Sequence, residues 1–211
     1  MNILAIILAA GFSKRMGENK LLLEYKGKTF IQTIIEKLLE INFNKIILVV
    51  SNLEIYKKYK NYNEKLFVIF NDKAEKGISE SIKKAVVYAK NNLEVDKYMF
   101  FVADQPLLKK ETILKIIEES GSNKITVPKS NNTMYNPVIF PNKYNSELLS
   151  LKGDKGGKQI ILNHLDNITF VDIEDANEFQ DVDVIEEYIK LINERKLWNL
   201  ILMKNIMIMF W

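Results

Sequence analysis

Hydrophobic residues follow two alternating patterns along this chain. Short segments that are apolar at almost every position are typical of strands buried on both faces of a sheet. Between them lie longer stretches whose apolar residues recur every three or four positions, which predicts amphipathic helices. Regular alternation of the two patterns predicts an α/β fold with a mostly parallel sheet and right-handed crossovers.

The predicted elements cover most of the chain. Strands are predicted at residues 3–8, 45–50, 66–70, 98–103, 125–127, 138–140 and 168–171. Helices are predicted at residues 29–41, 79–91, 110–119, 143–151, 157–165 and 184–194. No linker or repeat divides them, so we expect one domain over residues 1–196. Ligands of such folds bind at the carboxyl ends of the strands, so functional residues are expected in the loops that follow them.

Residues 197–211 form an apolar C-terminal extension to this domain. The segment is interrupted by Lys204 and is shorter than the ~20 residues that a membrane-spanning helix needs. We therefore expect no membrane contact and favour packing of the extension against the domain or across a subunit interface. The expected state is a monomer or a homodimer.

Charge and composition exclude several classes of function. The 30 Lys and Arg residues nearly balance the 27 Asp and Glu residues, so nucleic-acid binding is not indicated. The absence of Cys excludes disulfides, thiolate metal sites and cysteine nucleophiles. The one histidine, His164, is expected to be structural, which disfavours a histidine-based triad. The first strand starts at residue 3 without a basic leader, so a cytoplasmic enzyme is expected.

The loop after the first strand combines small and cationic residues. Ala9, Ala10 and Gly11 let a ligand approach the backbone closely, and their N–H groups suit phosphate oxygens. Arg15 and Lys20 add positive charge for a polyanion. The glycines match neither the dinucleotide motif Gly-x-Gly-x-x-Gly nor the P-loop motif. A phosphate-binding loop of another kind is therefore predicted.

The segment from Leu8 to Lys20 resembles the nucleotide loop Leu-Ala-Ala-Gly-x-Ser-x-Arg-Met-Gly-x-x-Lys of the MobA-like NTP transferase family, with every specified position filled. The resemblance implies a three-layer, Rossmann-like nucleotidyltransferase fold. It also implies that Arg15 contacts the leaving phosphates and Lys20 the reacting phosphate. The further nucleotide contacts that it implies are those of Leu8, Ala9, Ala10 and Gly11.

Asp104 directly follows a predicted strand, in the sequence Asp-Gln-Pro. Carboxylate oxygen is the ligand that Mg²⁺ prefers, and in the family that the first loop resembles this motif marks the metal aspartate. Mg²⁺ is therefore the expected cofactor. By the same resemblance, Asp183 is a second metal ligand, and Gly77 and Ser79 lie near the base and ribose. Ser79 and Asp183 have a structural alternative as helix caps.

Two later segments resemble the acceptor-binding segments of the family. Asn136 and Pro137 stand where family members commonly carry Gly-Asn-Pro, although Tyr135 replaces the glycine. Asp154 and Lys158 lie in the sequence Gly-Asp-Lys-Gly-Gly-Lys, where the family carries Gly-Asp-x-Gly-Ala-Arg. The resemblance therefore implies acceptor contacts by these residues of the two segments.

Within the family, Leu-Ala-Ala-Gly is more similar to the molybdenum cofactor cytidylyltransferases than to the guanylyltransferases, which usually carry Leu-Ala-Gly-Gly. The resemblance thus implies transfer of CMP from CTP to the phosphate of molybdopterin, with a molybdenum hydroxylase as a further partner. A guanylyltransferase and a sugar- or polyol-phosphate nucleotidyltransferase are the alternatives within the same class. A non-catalytic factor that inserts the cofactor into a molybdenum hydroxylase is the alternative of another class.

Overall fold

A computed structural model describes residues 2–11, 19–41, 43–121 and 123–193 of the chain. The strands are β1 (Ile3–Ala9), β2 (Glu24–Tyr25), β3 (Lys28–Thr29), β4 (Ile46–Val50), β5 (Leu66–Phe70), β6 (Lys97–Val102), β7 (Ile125–Ser130), β8 (Thr133–Met134), β9 (Val138–Pro141) and β10 (Ile168–Asp172). The helices are α1 (Phe30–Glu40), α2 (Leu53–Tyr59), α3 (Ile78–Asn92), α4 (Lys110–Glu118), α5 (Asn145–Ser150), α6 (Lys158–Asn163) and α7 (185–193). The predicted α/β alternation is confirmed.

An 8-stranded sheet forms the centre of the fold, in the order β10-β7-β9-β6-β1-β4-β5 with β8 paired to β7. β1 pairs in parallel with both β4 and β6, and β4 pairs in parallel with β5. β9 runs antiparallel to both of its neighbours, β6 and β7. The sheet is therefore mostly parallel, as predicted, with β9 inserted in the opposite direction.

Helices cover both faces of the sheet. Because successive side chains of β1 point to opposite faces, they pack against different helices. Ala5 and Ile7 pack in one apolar cluster with side chains of α1, α2 and α4. Leu4 and Ile6 pack in a second cluster with side chains of α3, α5 and α6. This arrangement forms the three layers that the family resemblance implied.

The order of the strands reverses at β1. From β1 the chain adds β4 and β5 on one side, and it then returns through α3 to place β6 on the other side. The loops after β1 and β6 therefore diverge, which opens a crevice at the carboxyl ends of these strands. Ala10 and Asp104 stand in those two loops, so the topology places the predicted nucleotide loop beside the predicted metal aspartate.

α7 packs on the β2–β3 hairpin, close in the chain to Lys20. Tyr188 meets Phe30 edge to face, with ring centroids 6.1 Å apart, and its hydroxyl donates to the Glu24 carbonyl at 2.9 Å. Leu191 is buried in the same small apolar cluster. Because Asp183 stands just before α7, this packing brings the segment that carries Asp183 to the carboxyl end of β1.

Some elements differ from the prediction. Helix α2 and the two-residue strands β2, β3 and β8 were not predicted, because elements this short do not show a clear period. The predicted helix at 143–151 is shorter and begins at Asn145, and the one at 157–165 ends at Asn163. The extension 197–211 lies outside the described residues. None of the helices in the described ranges is long and apolar enough to cross a membrane.

Candidate active site

A cavity of about 540 Å³ opens at the carboxyl ends of β1 and β6. The sequence-predicted residues that line it are Leu8, Ala9, Ala10, Gly11, Lys20, Gly77, Asp104, Asp154 and Asp183. The fold thus brings together side chains and backbone from loops that lie far apart in the chain. Arg15, the remaining predicted phosphate ligand, lies outside the described residues.

The loop after β1 presents backbone and very small side chains to the cavity. Ala9 and Ala10 are buried, and Gly11 is exposed at the edge. The Ser51 hydroxyl, which follows β4, donates to the Ala10 carbonyl at 3.1 Å and so holds the loop against the neighbouring strand. A ligand can therefore approach the backbone closely at this point.

Lys20 lies between two carboxylates. Its Nζ is 2.5 Å from Oδ2 of Asp104 and 2.6 Å from Oδ1 of Asp183. The side chains of Lys20 and Asp104 are 13% and 19% exposed, whereas that of Asp183 is 49% exposed. Burial by itself would lower the pKa of the Lys20 ammonium, but the charges and hydrogen bonds of the two aspartates outweigh it and raise that pKa. Lys20 is therefore cationic throughout the neutral range.

Asp104 has one carboxylate oxygen available to a ligand. Its Oδ1 is buried and has no hydrogen-bond partner among the described residues. Such an oxygen is costly to bury unless an ion or ligand group pairs with it. The described ranges contain no cluster of three or more metal-binding side chains, but Mg²⁺ in phosphate-transfer sites is held by one or two carboxylates together with substrate phosphates. Asp104 and Asp183 fit a site of that kind.

The segment before α7 is docked onto the Asp104 loop by hydrogen bonds. The Val182 N–H donates to the Asp104 carbonyl at 3.2 Å, and the Gln105 side chain donates to the Phe179 carbonyl at 3.0 Å. These contacts hold Asp183 beside Lys20, although the two residues are 163 positions apart in the chain.

Glu178 is a buried residue that the sequence analysis did not identify. Its side chain is 5% exposed and accepts hydrogen bonds from the Lys109 N–H at 3.1 Å and the Thr112 hydroxyl at 2.5 Å. The carboxylate thereby caps the first turn of α4 from a distant part of the chain. A cap that comes from so far along the chain leaves no local sequence signal.

Asp181 adds negative charge beside the two aspartates. Burial and the charge of Asp104 raise the pKa of Asp181 to about 6, while a hydrogen bond with Gln105 opposes the shift. The charge of Asp183 acts in the same direction as that of Asp104, and the charge of Lys20 opposes it. The carboxylates of Asp104, Asp181 and Asp183 therefore repel one another, and a cationic ligand would relieve that repulsion.

The N-terminal end of α3 meets the loop 153–157 at two closely packed glycines. Gly77 has a φ of 102°, and a Cβ at this position would overlap the backbone of Gly153. The Ser79 N–H donates to the Gly153 carbonyl at 3.1 Å. The contact brings Asp154, which the sequence analysis assigned to the acceptor, to the wall of the same cavity as Gly77.

The two serines that begin α3 have different surroundings. The Ser79 side chain is fully buried, and its hydroxyl has no hydrogen-bond partner among the described residues. Ser81 lines the cavity, and its hydroxyl accepts a hydrogen bond from the Asn71 side chain at 2.9 Å. The sequence pattern pointed to Ser79, but the side chain on the cavity wall is that of Ser81.

A second cavity, of about 210 Å³, adjoins the first and shares Leu8, Ile78 and Val102 with it. Asn136 and Lys158, two of the predicted acceptor residues, line this second cavity. Most of its remaining wall consists of aromatic and aliphatic side chains from β6, β9, α3, α5 and α6. Three of the four predicted acceptor residues are therefore divided between two adjacent cavities, and the fourth, Pro137, lines neither.

Tyr135, which departs from the family pattern, stacks on Phe179 with ring centroids 4.6 Å apart. Because Phe179 also accepts the hydrogen bond from Gln105, this stacking joins the wall of the second cavity to the segment that carries Asp183. Pro137 follows Asn136 through a cis peptide bond.

His164 lines neither cavity. Its Nε2 is 2.9 Å from a Glu147 oxygen, and its ring meets that of Tyr144 edge to face. These contacts tie together the two helical segments on one face of the sheet, α5 and α6.

Several known proteins are similar in sequence to this chain. The chain is 30% identical to a probable molybdenum cofactor guanylyltransferase of Natranaerobius thermophilus over 123 residues. The aligned segment covers 58% of this chain and 57% of that protein. A protein of the same name from Pyrococcus horikoshii is 28% identical over 82% of this chain and 88% of its own length. A 2-C-methyl-D-erythritol 4-phosphate cytidylyltransferase of Dictyoglomus thermophilum is 35% identical over 58% of this chain and 55% of its own.

Among solved structures, Rv0371c from Mycobacterium tuberculosis superposes with a TM-score of 0.78 at 21% identity, over 92% of this chain and 98% of that one. This likeness supports the fold. The sequence profile of the MobA-like NTP transferase domain matches residues 5–168, which include most of β1, all of β6 and every described residue that lines the two cavities except Asp183. The chain therefore belongs to the MobA-like NTP transferase family and is a nucleotidyltransferase.

Proposed function

We propose that this enzyme transfers CMP from CTP to the phosphate of a molybdopterin-type acceptor, with release of pyrophosphate and with Mg²⁺ as cofactor. The observation that carries the proposal is that Lys20 bridges Asp104 and Asp183 in a cavity bordered by the open backbone after β1. A cation, paired carboxylates and accessible backbone N–H groups together suit a metal-bound triphosphate.

In the proposed step, an acceptor phosphate oxygen forms a bond to the α-phosphorus while the bond to pyrophosphate breaks. A phosphate monoester has a second pKa of about 6, so it is largely dianionic at pH 7 and needs no general base. Lys20 would stabilise the oxygens of the α-phosphoryl group, and Arg15, by the family resemblance, the departing pyrophosphate. Mg²⁺ held by Asp104 and Asp183 would neutralise and align the phosphates.

The second cavity is our candidate for the acceptor ring system. Its wall is mostly apolar, with Phe100 and Phe140 among the aromatic residues. A planar heterocycle buries well against such a wall, whereas a polyol would leave hydroxyl groups unpaired. The names of the guanylyltransferase relatives favour an acceptor of the molybdenum cofactor class. The name of the Dictyoglomus relative makes a polyol phosphate the acceptor to test against it.

CTP is favoured by Ala10, which lines the first cavity and is 8% exposed. By the family resemblance, Ala10 stands where the guanylyltransferases usually carry glycine, and its methyl group would leave less room for a purine base. GTP is the second candidate, because two of the relatives described above are named as guanylyltransferases.

Pyrophosphate release, measured with each common NTP in the presence and absence of molybdopterin, tests the proposal. We expect release that depends on Mg²⁺ and on the acceptor and that is fastest with CTP. Faster release with GTP would overturn the choice of donor. Release with 2-C-methylerythritol 4-phosphate but not with molybdopterin would overturn the choice of acceptor. Binding of molybdopterin without release from any NTP would support a non-catalytic insertion factor instead.

A further inference from the structure

The cation at the predicted metal site is the ammonium of Lys20. Its Nζ contacts one oxygen of Asp104 and one of Asp183, the two side chains that we propose as metal ligands. The contacts are short, at 2.5 and 2.6 Å, and Lys20 is largely shielded from water. A divalent ion bound by the same two carboxylates would lie close to this ammonium and be repelled by it, even if it used the other oxygen of Asp104. Lys20 and a metal ion therefore compete for the pair.

The other charged residues of the cavity indicate which ligand can separate Lys20 from the two carboxylates. Among the described lining residues, the only ammonium is that of Lys20, and the carboxylates are those of Glu75, Asp104, Asp154 and Asp183. A triphosphate that arrived without a metal would meet mostly negative charge on this part of the wall. A metal that arrived without a triphosphate would meet the ammonium at its ligands. A metal-bound triphosphate meets neither obstacle, because its phosphate oxygens accept the ammonium while its metal takes the carboxylates.

We infer that Lys20 is a built-in counter-ion that keeps Asp104 and Asp183 from binding a free divalent ion, so that this site takes its metal as the metal–triphosphate complex. The inference rests on the proposed function for the identity of the nucleotide ligand. It assigns Lys20 a role before chemistry, in addition to the proposed contact with the α-phosphoryl group. The exchange of partners by Lys20 couples metal binding to nucleotide binding.

Binding of Mn²⁺ alone to the nucleotide-free protein tests the inference, with free Mn²⁺ measured by electron paramagnetic resonance. We expect Lys20→Met to bind Mn²⁺ at least about tenfold more tightly than the wild type, because the competing cation is removed. Lys20→Arg, which retains the positive charge, should remain close to the wild type. Lys84→Met is a matched control, because Lys84 pairs with Asp72 at 2.7 Å and lines neither cavity. Its Mn²⁺ affinity should not change.

Thermal unfolding with and without Mg²⁺ is a second readout, because a ligand that binds the native state raises Tm. Mg²⁺ should raise the Tm of Lys20→Met and Lys20→Gln more than that of the wild type, and it should refold a neutral variant that is unfolded without metal. Unchanged or weaker Mn²⁺ binding by Lys20→Met would overturn the inference, as would neutral variants that Mg²⁺ does not stabilise. These measurements use no nucleotide and no turnover, so their outcome is independent of whether the proposed transfer reaction is found.

Discussion

Gly77 and Gly153 lie backbone against backbone, and no room remains for a side chain on Gly77. The contact seats the loop 153–157 on the first turn of α3, where the Ser79 N–H donates to the Gly153 carbonyl. It also places Asp154 on the wall of the candidate nucleotide cavity. One glycine thus determines the shape of the cavity between two segments that lie far apart in sequence.

Replacement of Gly77 by alanine should therefore destabilise the protein. The positive φ and the overlap with Gly153 together predict a loss of about 2 kcal/mol or more in the free energy of unfolding. Urea denaturation measures the loss. Gly156→Ala is the matched control in the same loop, since a Cβ there would meet only Ile78 at an ordinary 3.8 Å. Equal stability of the two variants would contradict this account of Gly77.

Asp104→Asn should lower kcat for pyrophosphate release by about 100-fold or more, because a metal ion supplies several kcal/mol of transition-state stabilisation. The asparagine keeps the size of the side chain, so an unchanged Tm would show that the fold is intact. Asp183→Asn should have a smaller effect, since that carboxylate is 49% exposed. A larger loss in Asp183→Asn than in Asp104→Asn would show that Asp104 is not the principal ligand.

Ala10→Gly should shift the preference for the nucleotide donor towards GTP. Removal of one methyl group from a pocket wall changes discrimination by about tenfold or more, so we expect the ratio of kcat/KM for GTP to that for CTP to rise by about that factor. Ala85→Gly is the control, because Ala85 is fully buried on α3 and lines neither cavity. This control should lower the free energy of unfolding without changing the ratio of kcat/KM for the two nucleotides. A change of the ratio in the control but not in Ala10→Gly would refute the role of Ala10.

Asp181→Asn should stabilise the metal-free protein at neutral pH. The pKa of this carboxyl is about 6 in the native state, against an ordinary value of 3.8. Between these two pH values the native state therefore binds more protons than the unfolded state. The contribution of Asp181 to the free energy of unfolding therefore falls as pH rises through this range. Its destabilising effect is complete above pH of about 6. Because the Asp181 side chain is only partly shielded from water, its charge is screened in part and the effect on stability is expected to be modest.

Urea midpoints for wild type and Asp181→Asn at pH 5 and pH 7.5 measure this difference. The advantage of the variant should be larger at pH 7.5 than at pH 5. An advantage that is equal at the two pH values would mean that ionisation of Asp181 is not its cause.

The strands, the principal helices and the two main loops of the site could be predicted from sequence, because each leaves a local signal. β1 and β6 are apolar runs that end where Ala10 and Asp104 begin their loops, and parallel strands present their carboxyl ends at one edge. Lys20 was recognised from the spacing of a motif that lies within one stretch of the chain. A local signal of this kind can be recognised in the sequence without knowledge of the tertiary structure.

Contacts between distant segments were decided only by the tertiary structure. The caps that Glu178 supplies to α4, the approach of Gly77 to Gly153 and the position of Asp154 each depend on how two remote segments pack. The same is true of the bridge from Lys20 to Asp104 and Asp183, since the three residues meet only after the sheet has formed and the segment before α7 has docked on it. Periodicity reports which face a residue buries, but the partner on the other side is determined by the path of the whole chain.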